Sequence, residues 1–225
     1  MSWKSYIFPQ TILITSSSFN RLIRVNEEWG KMKLLVNMSP QSGAYIEKLW
    51  KETFKHFHLI PGIKDAPPPA GGPKIRDILV LGLGGGTVLT MLSRLFPEAL
   101  QTCVDIDPIV IDIAKKYFSV GNIPHLSLVH ADAEKYVNHT VRERKKYDCV
   151  IVDLSFGRNI PAFVEEQHFL KEIKTLLSPS GYLLLNYLRE KEYRNKSNTL
   201  FRTLQSVFPT VKDFEIANNR FFFCK

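Results

Sequence analysis

Asp77-Ile-Leu-Val-Leu-Gly-Leu-Gly-Gly-Gly-Thr87 decides the fold. An apolar run of strand length enters a turn with glycine at 82, 84, 85 and 86, and a helical pattern then continues to Phe96. A buried strand that feeds a glycine-rich turn and a helix is the opening unit of a parallel α/β sheet. Glycines let the backbone bend and come close to a ligand, and amides at a helix N-terminus favour a carboxylate or phosphate. The third position of the dinucleotide fingerprint, which would hold Gly or Ala for close packing, holds Thr87. The spacing of Gly82, Gly84 and Gly86 suits a different nucleoside cofactor.

Downstream the alternation continues. Thr102-Cys-Val-Asp105 precedes a helix from Pro108 to Phe118, and Leu126-Ser-Leu-Val129 precedes one from Ala133 to Arg142. Asp148-Cys-Val-Ile-Val152 leads to a helix near Val164 to Leu177, and Gly181-Tyr-Leu-Leu-Leu-Asn186 to one through Leu200 to Phe208. Five strands with intervening helices imply a parallel sheet covered on both faces. Val211–Ile216 and Arg220–Cys224, joined at Ala217-Asn218-Asn219, read as a closing antiparallel hairpin. That ending points away from a nicotinamide-binding fold.

Upstream, Thr11–Thr15, Arg21–Val25 and Met32–Val36 are short β-rich runs separated by Ser16–Asn20 and Asn26–Gly30, the pattern of a small antiparallel meander. Ser42 stands where it can cap a helix whose apolar positions Ile46, Leu49, Trp50, Phe54 and Phe57 recur at three and four. Five prolines and three glycines in Pro61–Pro73 stop both helix and sheet, so the segment reads as a linker. The expected organisation is a β-meander and helix at 1–60, a linker at 61–73 and the main α/β domain at 74–225.

Composition narrows the class. Of 225 residues, 44% are hydrophobic and 23% charged, which excludes extended disorder. No uncharged run is longer than Ile78 to Ser93, which is shorter than a membrane span and carries four glycines, so no membrane association is expected. Without a signal-like N-terminus the chain reads as cytoplasmic. Cys103, Cys149 and Cys224 lie apart inside apolar runs, which encodes neither a disulfide framework nor a metal site. The net charge of +8 suits an anionic partner, but the densest basic cluster, Arg142 with Arg144–Lys146, reads as a solvated loop, so a nucleic-acid partner is disfavoured.

Ligands of such sheets bind beyond the carboxyl ends of the strands, where strand order reverses. Asp105 ends the second strand 23 positions after Gly82, where a carboxylate can accept both hydroxyls of a ribose. Asp107-Pro108 reads equally well as a helix cap followed by a first-turn proline. At the third strand end, Asp132 can accept from an exocyclic amine and the Ala133 amide can donate to the ring; capping the next helix is the other reading of Asp132. Asp153 ends the fourth strand as a candidate base; organising the loop that follows is its equally good other reading. Glu165, Glu166 and His168 follow on a helix start, where carboxylates also complement the helix dipole.

These stretches, with Val104-Asp-Ile-Asp-Pro108, His130-Ala-Asp-Ala133, Tyr147–Asp153 and Leu176–Asn186, resemble the class I S-adenosylmethionine-dependent methyltransferases, and more closely their spermidine synthase branch. The branch carries a small N-terminal β-domain, to which Lys33–Tyr45 is similar. The resemblance covers nearly the whole chain and implies a Rossmann-like α/β sheet of five parallel strands plus a C-terminal antiparallel hairpin. It implies that Gly82, Gly84, Gly85 and Gly86 line S-adenosylmethionine or its decarboxylated form, that Asp105 with neighbouring Ile106 holds the ribose end, that Asp132 and Ala133 hold adenine, and that Gln41 reaches in from the β-domain. A homodimer is implied on the same ground.

Two departures bear on the reaction. The branch typically has an aspartate where this chain has Gly85, and a second aspartate after the fourth strand where it has Phe156. Without the first, intact S-adenosylmethionine is not repelled; without the second, aminopropyl transfer to a polyamine lacks a base. The expectation is a transferase that passes a methyl group, less readily an aminopropyl group, to a small-molecule nucleophile, with Asp153 catalytic. The alternative is a non-catalytic nucleoside-binding module that kept the fold and lost its acid–base residues.

Overall fold

The computed structural model describes residues 3–57, 75–190 and 193–225; the Pro/Gly stretch expected as a linker lies outside the described residues. Strands β1 (Gln10–Thr15), β2 (Ile23–Glu28), β3 (Lys31–Val36) and β4 (Ser39–Pro40) form an antiparallel sheet in that order. After helix α1 (Ala44–His56) come β5 (Asp77–Leu81), α2 (Thr87–Leu95), β6 (Leu100–Asp105), α3 (Pro108–Tyr117), β7 (Leu126–His130), α4 (Ala133–Arg142) and β8 (Tyr147–Val152). The chain ends with α5 (Gln167–Leu176), β9 (Leu177–Leu188), α6 (Tyr193–Val207), β10 (Val211–Ile216) and β11 (Asn219–Cys224).

The seven-stranded sheet has the order β10-β11-β9-β8-β5-β6-β7, with β5 to β9 parallel and β11 antiparallel to both its neighbours. This is the expected five-stranded parallel sheet with a closing hairpin. Strand order reverses between β5 and β8, which opens a crevice at their carboxyl ends. Alternation along β5 supplies both faces: Leu79 and Leu81 pack with α4, α5 and α6, while Ile78 and Val80 pack with α1 and α2.

Helix α1 buries Leu49, Trp50, Thr53 and Phe54, the face expected from its periodicity, against the large sheet. Trp50 meets Phe221 of β11 edge-on at 5.0 Å. Ser42 does not cap this helix. Gly43 holds the cap position with no side-chain bond, and the Ser42 hydroxyl instead accepts the Leu34 N–H at 2.8 Å. The second strand also differs from expectation, running from Ile23 to Glu28 because Trp29 and Gly30, both at positive φ, make the turn two residues long. All three cysteines are buried, and burial pushes the Cys149 thiol up to about 12. No helix among the described residues is long and apolar enough to cross a membrane.

The small sheet docks on α3. Ile23, Val25, Leu34 and Val36 pack with Val110 and Ile113, and Asp107 fastens the contact. Only 1% exposed, Asp107 caps α3 by accepting the Ile109 N–H at 3.0 Å through Oδ1. Its Oδ2 accepts Ser17 Oγ at 2.5 Å and Asn20 Nδ2 at 2.7 Å. The capping role is the one foreseen; the grip on the Ser17–Asn20 loop is additional. Asp107→Ala loses a cap and two buried bonds to a carboxylate, about 3 kcal/mol, and is expected to lower Tm by roughly 6–12 °C. Asp107→Asn keeps an acceptor for the cap but turns an amide toward two donors, so thermal unfolding should show only partial recovery.

Candidate functional site

Two clefts open at the carboxyl ends of the parallel strands. The first, about 670 Å³ counting space open to solvent, lies over the end of β5 and is roofed by the small sheet through Asn20, Val36 and Gln41. The second, about 1270 Å³ and open to solvent, runs between α1, the loop after β8 and the tip of the terminal hairpin. They share four residues: Gln41, Asp153, Leu154 and Ser155.

Gly82, Gly84, Asp105, Ile106, Asp132, Ala133, Gln41 and Asp153 all line the first cleft. Gly82 sits at φ +98°, and a Cβ there would lie 2.1 Å from the Asp153 carbonyl oxygen. Gly84, at φ +51°, leaves room for the Gln41 carbonyl, which a Cβ would approach to 2.8 Å. Gln41 is pinned over the turn, donating its N–H to Leu34 and accepting the Gly85 N–H.

Gly85 and Gly86 do not join this lining. The hydrogen that a side chain would replace on Gly85 points at Ser42, whose Cβ would be 2.5 Å from an added Cβ, and that of Gly86 points at Val120. An aspartate at position 85 therefore has no room in this packing.

Asp105 accepts the Leu83 N–H at 2.8 Å through Oδ2 and the Asp107 N–H at 2.9 Å through Oδ1. Burial raises its pKa, opposed by those two amides. Each oxygen keeps a lone pair for a further donor such as a ribose hydroxyl. Asp132 caps α4, accepting the Lys135 N–H at 3.0 Å through Oδ1, while lining the cleft. Both readings of this residue are compatible with one position, because the cap uses a single oxygen.

Asp153 lies where the clefts meet. Its Oδ1 accepts Asn186 Nδ2 at 2.8 Å, and the Trp50 indole is a second donor to the carboxylate. Burial raises its pKa, with both hydrogen bonds opposing the rise. Sequence reasoning missed these two donors. Periodicity alone makes Trp50 a core residue of α1, although a buried indole N–H usually finds a partner. Phe156 lines the first cleft, and its backbone forms a two-bond bridge with Asn159.

Glu165, Glu166 and His168 line neither cleft; Glu165 accepts the Tyr187 hydroxyl at 2.6 Å instead. The basic cluster lies just before β8, at the opposite end of the strand from both clefts, with Arg144, Lys145 and Lys146 exposed.

Residues 57–218 match the spermine/spermidine synthase domain. The chain belongs to that family. Within it, a polyamine aminopropyltransferase of Vibrio vulnificus is 38% identical over 146 residues, 64% of this chain and 47% of that protein. The chain is also 29% identical over 160 residues to the eEF1A lysine and N-terminal methyltransferase of Homo sapiens, covering 66% of this chain and 22% of that protein. It thus spans about half or less of these curated relatives. The crystal structure of human methyltransferase-like protein 13 in complex with SAH superposes with a TM-score of 0.60 at 28% identity, over 67% of this chain and 72% of that one. Spermidine synthase from Thermotoga maritima shares the fold, with a TM-score of 0.70 at 16% identity, over 96% and 72%.

Gly82→Ala forces a left-handed φ on alanine and drives a methyl into the Asp153 backbone. The expected cost is about 2 kcal/mol or more, a fall in Tm of roughly 4–8 °C, together with displacement of the β8 end that lines both clefts. Differential scanning calorimetry checks the first, and loss of nucleoside binding by the residual folded protein checks the second.

Proposed function

We propose that this chain binds S-adenosylmethionine in the first cleft and transfers its methyl group to an amine presented from the second, with Asp153 as the proton acceptor. The observation that carries this reading is that the two clefts meet at one carboxylate held by two donors. A sulfonium is already an activated leaving group, so holding donor and acceptor in line supplies much of the acceleration. The amine lone pair attacks the methyl carbon, the carbon–sulfur bond breaks, and its electron pair stays on sulfur as the neutral thioether. The positive charge moves to nitrogen, and the proton shed from it passes to ionised Asp153.

In the cofactor cleft, Asp105 would take the ribose hydroxyls, with adenine beside Ile106 and Ala133. Methyl transfer is favoured over aminopropyl transfer by two features. With Ser42 filling the space at Gly85, no carboxylate faces the amino-acid end of the cofactor from that turn. In the acceptor cleft, Glu190 is already engaged by Arg158 at 3.3 Å and Asn218 at 3.3 Å, so it is not free for the second ammonium of a polyamine. A lysine side chain or protein N-terminus carries a single amine, and relatives named for modifying those groups support that acceptor class. We place the protein in the cytoplasm, where three buried free thiols are at home.

Calorimetric titration with intact and decarboxylated S-adenosylmethionine is expected to show roughly tenfold or greater preference for the intact cofactor, the worth of one charge-assisted bond. Asp153→Asn should bind it within about twofold yet lose on the order of 100-fold or more in methyl transfer to lysine and N-terminal peptides. Because Asp153 acts ionised and burial raises its pKa, wild-type activity should fail as pH drops through a point above the ordinary aspartate value of roughly 3.9. Absence of binding to either cofactor ends this reading. Binding without turnover on any amine supports the non-catalytic module, and preference for the decarboxylated form supports aminopropyl transfer.

A further inference from the structure

The hairpin that closes the large sheet reaches the proposed base through one intermediate side chain. Asn219 is the first residue of β11, paired with Ile216 of β10 and Leu188 of β9, and 9% exposed. Its Nδ2 donates to Asn186 Oδ1 at 2.9 Å, and Asn186 Nδ2 donates to Asp153 Oδ1 at 2.8 Å. The polarity of this chain is dictated from one end. An ionised carboxylate only accepts, so Asn186 must turn its nitrogen to Asp153; its oxygen then faces Asn219, which must supply an N–H. Released from Asn219, the Asn186 amide loses the partner that holds its oxygen, so it can swing away and its bond to Asp153 weakens.

We propose that Asn219 is a positioning residue, which locks the Asn186 amide with its nitrogen toward Asp153 and so fixes the carboxylate where the two clefts meet. The proposal rests on the reading of Asp153 as the proton acceptor. It assigns a task to the terminal hairpin, whose tip also lines the acceptor cleft through Asn218 and Asn219. It also explains why a residue at a turn keeps a side-chain amide almost fully covered: the amide is needed inside.

The charged and titratable side chains that line the two clefts with Asp153 are Lys33, Tyr45, Arg158 and Glu190 on the acceptor side, with Asp105, Asp107 and Asp132 on the cofactor side. Lys33 pairs with Glu28 and Arg158 with Glu190, and neither pair involves Asn219. Replacing Asn219 therefore acts on Asp153 through Asn186 and leaves these charges in place.

The test is a carboxyl carbon-13 NMR titration of the whole chain, with the Asp153 resonance assigned by its loss in Asp153→Asn. Asn219→Ala should move the Asp153 midpoint up by roughly one unit, the order of one bond to a charged group. Asn218→Ala, at the same hairpin tip but bonded to Glu190, should leave it in place. An unchanged midpoint in folded Asn219→Ala, or an equal shift in Asn218→Ala, overturns the proposal. If Asn219→Ala does not fold, the wild-type protein decides: the Asn186 side-chain nitrogen shift should follow the Asp153 titration, and a shift independent of pH overturns the proposal. These readouts need neither cofactor nor acceptor. Failure to bind S-adenosylmethionine would therefore remove the functional reading while leaving the titration result standing, and the reverse outcome would remove only the role of Asn219.

Discussion

The backbone contact between Gly82 and Asp153 sets the geometry on which the site depends. Gly82 follows β5 and Asp153 follows β8, the two strands on either side of the point where the sheet reverses its order. Hydrogen bonds from Gly82 N–H to Val104 and from Asp153 N–H to Leu81 keep the neighbouring strand ends in register. With no side chain at position 82, the Asp153 carbonyl comes within 2.1 Å of where a Cβ would stand. The glycine turn can then curl under one cleft while the Asp153 side chain stands at the boundary of both.

The small N-terminal sheet completes what the large one begins. Its apolar face seats on α3, Asp107 bonds its Ser17–Asn20 loop, and Gln41 lies over the glycine turn. These contacts also explain the absence of a side chain at Gly85. Ser42 follows Gln41 into the turn, and its hydroxyl is tied to Leu34 of β3, so the space beside Gly85 is filled from the small sheet. A substitution that looks like a lost acidic residue in sequence is, in three dimensions, one half of a packing contact.

The parallel sheet was legible because β5 and β8 are buried on both faces and carry the unbroken apolar runs Ile78–Leu81 and Cys149–Val152, each bounded by an aspartate and a turn. The strand-end acids were legible because the fold directs them to one crevice. What could not be read were side chains with two chemically sensible uses. Ser42 before a helix suggests a cap, but the hydroxyl serves β3 instead. Trp50 has the right spacing for a core face and fills it, yet its N–H serves a residue about a hundred positions away. Asn219 looks like a turn residue and is the first residue of β11, bonded to Asn186. Each choice is settled by a long-range partner that local periodicity does not encode.

The proposed transfer requires a cofactor cleft and an acceptor cleft that share Asp153. The most direct measurement is a crystal structure of the protein with S-adenosylhomocysteine. Ribose hydroxyls are expected on Asp105, adenine beside Ile106 and Ala133, and the sulfur turned toward Asp153 at the opening into the second cleft. A product bound elsewhere, or one whose sulfur is walled off from the cleft beneath Trp50 and Asn219, would contradict it.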